Sequence, residues 1–254
     1  MNTIKNQSIS KYLDNLLKVN DFKDYCPNGL QIQGKDAVNH LVTGVTINQE
    51  LINQAIAIQA DGILVHHGMF WKGDDFCIRE IKKQRIQSIL AYDINLWAYH
   101  LPLDAHPIYG NNACLANMFN FKVDSNFGDQ NLGCLYNVQQ EDYTWQKLSQ
   151  KIQQHLNNKI LVIGNTSKDY NIKTIAWCSG GAQSYFLDAI HAGCNVFISG
   201  EISEQYVHIA REYDVLYMVC GHHATERYGV QAIGNHLKDK YGIKHTFVDI
   251  ASPI

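Results

Sequence analysis

Two rhythms of apolar residues alternate along the chain. Short apolar runs rich in Val, Ile, Leu and aromatic residues predict strands at 41–46, 62–66, 94–99, 132–138, 160–164, 172–178, 196–199, 215–220 and 245–250. Between most of them, apolar positions recur every three or four residues and predict helices at 49–60, 76–91, 111–119, 145–155, 183–192, 203–213 and 225–240. The N-terminal stretch MNTIKNQSISKYLDNLLKVN reads as a further amphipathic helix capped by Ser8. Strand and helix in turn is the α/β pattern. The polar stretch DSNFGDQN, residues 124–131, is the best candidate for a domain boundary.

The pattern also repeats. Shifted by 134 residues, LVTGVTINQELINQAIAIQADGILVHHG from Leu41 lies without gaps over IAWCSGGAQSYFLDAIHAGCNVFISGE from Ile175, with Ala55 over Ala189. Any two strand–helix–strand units share this much, but the next element extends the match. NLWAYHLPLD closes a strand with His100 and places Asp104 four residues on; LYMVCGHHATE does the same with His222 and Glu226. The offset is now 122, and the extra segment MFWKGDDFCIRE in the first copy accounts for the change. An internal duplication predicts two similar α/β domains: residues 1–125, completed by 222–254, and residues 126–221.

Composition narrows the class. The chain has 254 residues, 46% hydrophobic and 18% charged, which suits globular domains. A net charge of -3 without a basic run makes nucleic acid a poor partner. No apolar run approaches membrane-spanning length, and the N-terminus lacks a signal-peptide core, so a cytoplasmic protein is expected. Seven cysteines without a C-x-x-C pair predict buried thiols rather than a disulfide framework or a Cys-rich zinc site.

The chemistry-bearing residues gather at three strand ends: His66 and His67; His100, Asp104 and His106; His222, His223 and Glu226. Carboxyl ends of parallel strands face a common crevice, and imidazole with carboxylate suits borderline divalent metals. Several such donors exceed the needs of one tetrahedral ion and would serve two ions sharing a carboxylate. Adjacent histidines in a regular strand point to opposite faces, so His66 and His67 converge only if the backbone turns, which Gly68 would ease. Thr225 is read as a helix start, with His222 just ahead of it. A lone histidine is more often a hydrogen-bonded or surface residue, and His40, His155, His191, His208, His236 and His245 are assigned to that class. The turn Cys178-Ser-Gly-Gly-Ala182 could cradle an anion or be merely tight. Glu201 could face the same cavity or cap the next helix with Ser203.

At these residues the sequence resembles the dinuclear metal centre proteins, the Ngg-interacting-factor-like family, whose members carry the name GTP cyclohydrolase 1 type 2. The resemblance rests on PNGLQIQG, VHHGMFWKG, HLPLDAH, SGGAQ, ISGEIS and GHHATERYGV in order, and covers essentially the whole chain. It implies a pair of intertwined α/β domains and a toroidal homohexamer with metal sites facing an internal cavity. It also implies two divalent ions (Fe, Mn, Zn or Ni) held by His66, His67, Asp104, His222 and Glu226. Hydrolysis is the first expectation, with GTP as substrate and His100 or His223 moving protons. A phosphoester or amide hydrolase, and a metal-binding scaffold or metal-insertion factor, are the alternatives. For a triphosphate, the residues near the ligands offer Lys72, Arg227 and the Ser179–Gly181 turn.

Overall fold

A computed structural model describes residues 3–139, 143–167 and 170–254; Met1 and Asn2, the start of the expected N-terminal helix, lie outside them. In chain order the elements are β1 (Ile4–Lys5), α1 (Asn6–Leu16), β2 (Gly29–Ile32), β3 (Ala37–Val38), β4 (His40–Thr46), α2 (Gln49–Ala57), β5 (Gly62–His67), α3 (Glu80–Ala91), β6 (Asn95–Ala98), α4 (Leu101–Ala105), α5 (Asn111–Phe119), β7 (Ser125–Phe127), β8 (Gly133–Asn137), α6 (Trp145–Leu156), β9 (Leu161–Ile163), β10 (Thr174–Cys178), α7 (Phe186–His191), β11 (Val196–Ser199), α8 (Glu204–Glu212), β12 (Leu216–Val219), α9 (His222–Tyr241) and β13 (Lys244–Phe247). The architecture is mixed α/β, as the alternation predicts. No helix among the described residues is long and apolar enough to cross a membrane. All seven cysteines are free and five are buried.

Two compact units divide the chain: Met1–Gly110 with Arg227–Ile250, and Asn111–Glu226 with Ala251–Ile254. The polar stretch 124–131 therefore falls inside the second unit, because it contains β7, which pairs antiparallel with β8. The divisions come at Gly110 and Glu226 rather than at 125 and 221.

The first unit is built on a five-stranded sheet in the order β13-β4-β5-β6-β2, parallel except for β2. Its central strands read as continuous apolar runs because both faces are covered. Ile63 and Val65 of β5 pack with residues of α2 and α3, whereas Leu64 between them packs with residues of α1 and α9. The N-terminal helix starts at Asn6 with Lys5 at its cap, so Ser8 lies in the first turn and is not the cap. β2 escaped the apolar pattern: it is a short edge strand containing Gly29 and Gln31.

The second unit has a six-stranded sheet, β7-β8-β10-β11-β12-β9. Four strands repeat the first unit's plan: β10, β11 and β12 are parallel neighbours with β9 antiparallel beside β12, as β4, β5 and β6 are with β2. Even the register repeats. Leu41 pairs with Gly62 and Ile175 with Val196, so both strands keep the 134-residue shift. At the third strand the ladder gives a shift of 121, since Gly62 pairs with Asn95 and Val196 with Leu216. His100 thus corresponds to Gly221, and His222 stands one position further on. The 122-residue match of the sequences conceals an extra residue in the second copy's turn. α9 also starts at His222 instead of Thr225, which puts His222 and Glu226 one turn apart on the same helix.

Candidate metal centre

In both units the polar chemistry collects where parallel strands end. β5 delivers His66, fully buried, and His67, half-buried, with ring centroids 4.6 Å apart. The strand continues through His67, so the rings come together without a turn at Gly68. What Gly68 supplies is space: a Cβ there would lie 2.6 Å from that of Ala98 and closer still to the Gln31 carboxamide.

His66 Nδ1 lies 2.9 Å from the carbonyl of Tyr99. A carbonyl only accepts, so Nδ1 donates its proton there and Nε2 is the nitrogen left for an ion. Nε2 lies 3.4 Å from Asp104 Oδ2, on the short helix α4 that follows β6. An imidazole nitrogen and a carboxylate oxygen so placed can hold a proton or a metal cation between them. His67 Nδ1 is held 2.8 Å from Thr46 Oγ1, at the end of β4. His100 completes the group: one ring nitrogen from each of His66, His67 and His100 falls within 4.8 Å of the others.

His100 is fixed from behind. Its Nδ1 lies 2.9 Å from Asp24 Oδ1, and its amide donates to Asn28 Oδ1 at 2.7 Å. Asp24 also accepts from the Leu101 amide at 3.0 Å, the Asn28 amide group at 2.9 Å and its neighbour Tyr25's amide at 2.7 Å. Burial alone would raise this carboxyl, but the hydrogen bonds from His100, Asn28 and Leu101 outweigh it and hold Asp24 well below the usual carboxylate range. Asp24, Cys26 and His100 also cluster with metal-like spacing. Donors already saturate the carboxylate, however, and burial pushes the Cys26 thiol up to about 12, so this trio is a hydrogen-bonded brace.

The second unit contributes the start of α9. His222 Nε2 lies 3.1 Å from Glu226 Oε2, and its Nδ1 lies 2.5 Å from Glu201 Oε1. Burial would lower this imidazole, but the Glu226 and Glu201 carboxylates raise it to about 9. Glu201 therefore orients His222 from behind, as a carboxylate partner does for a metal-binding histidine. A divalent ion can take the place of the Nε2 proton between imidazole and carboxylate. The glycine turn leaves the room: at Gly180, with φ +65°, a Cβ would collide with Glu226 Oε1. This turn is tight rather than anion-binding, since the Gly180 amide donates to Thr225 Oγ1 at 2.9 Å and the Ser179 amide to Asn112 Oδ1 at 2.9 Å.

The first unit thus assembles His66, His67, His100 and Asp104, and the second His222, Glu226 and Glu201. The donor set, neutral imidazoles and carboxylates with oriented partners, fits borderline divalent ions. His223, expected to move protons, is the second residue of α9, half-buried with its amide on the Ile254 carbonyl; it belongs to none of the metal-like groups among the described residues. Arg227 is engaged by Asp249 at 3.2 Å. Asp24 carries no sequence signal and Asn28 stands in PNGLQIQG without an evident role, because their link to His100 spans more than 70 residues.

Known proteins share this framework. Residues 4–253 match Duf34/NIF3 (NGG1p interacting factor 3). The chain belongs to the Duf34/NIF3 family. A relative in Yersinia pestis named GTP cyclohydrolase 1 type 2 homolog is 42% identical, over 98% of this chain and 100% of its own. One of the same name in Vibrio cholerae is 43% identical over 99% and 100%. Among solved structures, protein ybgI, described as of unknown function, superposes with a TM-score of 0.94 at 39% identity over 99% of this chain and 100% of that one. The crystal structure of TTHA1606 from Thermus thermophilus gives 0.88 at 28% identity, again over 99% and 100%.

Proposed function

We propose that this Duf34/NIF3 chain is a two-metal hydrolase that opens the imidazole portion of the guanine ring of GTP. The observation that carries the metal reading is the orientation of His66, whose Nδ1 is tied to the Tyr99 carbonyl while Nε2 faces the Asp104 carboxylate. His66, His67, Asp104, His222 and Glu226 are the proposed ligands, in accord with the family resemblance. The guanine substrate comes from the name borne by the relatives.

Two divalent ions, when bound, would polarise the bond under attack and lower the pKa of a water. The remaining chemistry falls to side chains. With Asp24 accepting from Nδ1, His100 turns Nε2 away from the brace, which suits it to take a proton from water and return it to the departing ring nitrogen. Opening at C8 adds one water across the C8–N9 bond; a second water releases the one-carbon unit as formate. Because the Ser179 and Gly180 amides are already engaged, side chains would have to hold the triphosphate. As the resemblance implies, the proposed working form is a cytoplasmic toroidal homohexamer.

The test is formate release from GTP by metal-loaded protein, with metal content measured by element analysis. Wild-type protein should release formate, and Asp104→Ala should lose both metal and turnover. No formate from fully loaded wild-type protein would overturn the GTP reading.

A further inference from the structure

Two aromatic side chains flank the first unit's histidines without being part of the donor set. Tyr25 lies between Asp24 and Cys26, on the loop that braces His100. Trp71 lies four residues after His67, in the segment that the first copy has and the second lacks. The two loops are tied together, since the Lys72 amide donates to the Tyr25 carbonyl at 2.7 Å. Trp71 is itself anchored by Nε1–H to the Gly68 carbonyl at 3.2 Å.

Both rings meet the imidazole of His100 edge-on, Tyr25 at 5.4 Å and 62° and Trp71 at 5.1 Å and 83°. Trp71 also lies 6.0 Å from the His67 ring. Their own centroids are 6.5 Å apart at 30°, near the far end of the roughly 4.5–7 Å range over which aromatic rings attract one another. The pair therefore does not stack closely on itself. Tyr25 is 54% exposed although it stands beside the buried His100. Rigid aromatic faces at the rim of a polar site are how proteins hold planar rings, because every base has a π-face to stack.

We propose that Tyr25 and Trp71 form an aromatic clamp that stacks the planar heteroaromatic ring of the substrate next to His67 and His100. The clamp rests on the reading of these histidines as the reaction site and narrows the substrate class to compounds with a planar aromatic ring. It selects on the ring face and leaves recognition of ring edges to other groups.

Binding of guanosine and adenosine to the metal-loaded protein tests it, read by tryptophan fluorescence, with ribose 5-phosphate as a probe that lacks a planar ring. Both nucleosides should quench wild-type protein and a Trp145→Phe control, and ribose 5-phosphate should not. Stacking contributes about 1–3 kcal/mol per base, so Tyr25→Ala should weaken nucleoside binding roughly 5- to 150-fold. Trp71→Phe should abolish the quenching yet retain most of the affinity measured by equilibrium dialysis, whereas Trp71→Ala should lose it. Unchanged nucleoside affinity in Tyr25→Ala and Trp71→Ala, or no nucleoside binding by wild-type protein, overturns the clamp. Nucleoside binding that depends on the clamp, without formate release from GTP, supports the clamp and overturns the GTP reading. Formate release with an unchanged KM in both alanine variants does the reverse.

Discussion

At the scale of single residues, the site depends on which nitrogen carries a proton. His66 and His222 are each set by an acceptor behind the ring, the Tyr99 carbonyl and the Glu201 carboxylate. His100 is set by Asp24 in the same way. Replacing Asp24 by Asn removes the charge and places an amide beside Nδ1, which can donate to it and drive the proton to Nε2. His100 would then face its substrate as a donor. Asp24→Asn is expected to lower kcat by about 10²- to 10⁴-fold, the usual contribution of general acid–base catalysis, with bound metal unchanged by element analysis. Loss of metal together with activity would make His100 a ligand instead. The sequence shows the histidines and Asp104 plainly, because each closes an apolar run. It shows Glu201 through the 134-residue repeat and the ISGEIS motif, Asn28 only as part of PNGLQIQG, without a role, and Asp24 and Tyr25 not at all: a loop has no periodicity, and their partners are distant in the chain.

At the scale of elements, legibility follows burial. β4, β5, β10 and β11 stand out because both faces are covered, whereas the edge strand β2, with its glycine and glutamine, looks like a loop. The sequence places the start of α9 at Thr225, three residues late, because Gly221-His222-His223 resembles a turn. β13 is a further case of fit between elements: it is an edge strand in which His245 is lodged between Thr43 of β4, at 2.8 Å, and Asn235 of α9, at 3.0 Å. Burial lowers this imidazole to about 4, with Lys238 and His40 adding to the effect. Free histidine titrates near 6.5, so between about pH 6.5 and 4 the unfolded chain binds the proton and the folded chain does not. Stability from this group is therefore complete above about pH 6.5 and is lost as pH falls towards 4. Discounted for the partial exposure of the ring, the loss should be roughly 1–2 kcal/mol. Urea unfolding at intervals between pH 4 and 7 should show a shallower slope for His245→Gln than for wild-type protein; equal slopes would place the acid sensitivity elsewhere.

For the whole molecule, the repeat explains how two units on one plan come to carry different donor sets. Each unit carries three parallel strands and an antiparallel neighbour in matching register, and each ends its strands in polar residues. The contents differ: the position of His66 and His67 in β5 is taken by Gly200 and Glu201 after β11. The first unit therefore offers a histidine pair, while the second offers a carboxylate that orients His222. Under the proposed ligand assignment, bound ions would stabilise only the folded state, by RT ln(1 + [M]/Kd), which amounts to about 4 kcal/mol when free metal is 1,000 times Kd. For a chain of this size, about 1 kcal/mol moves Tm by roughly 2–4 °C. Chelation of the purified protein should accordingly lower Tm by on the order of 10 °C, and restoring a divalent ion should recover it. His66→Ala and Glu226→Gln should each abolish that recovery, although they alter different units, because the proposed centre needs both. If either variant alone still regains the full shift, the ions are held within one unit and the five-ligand assignment fails.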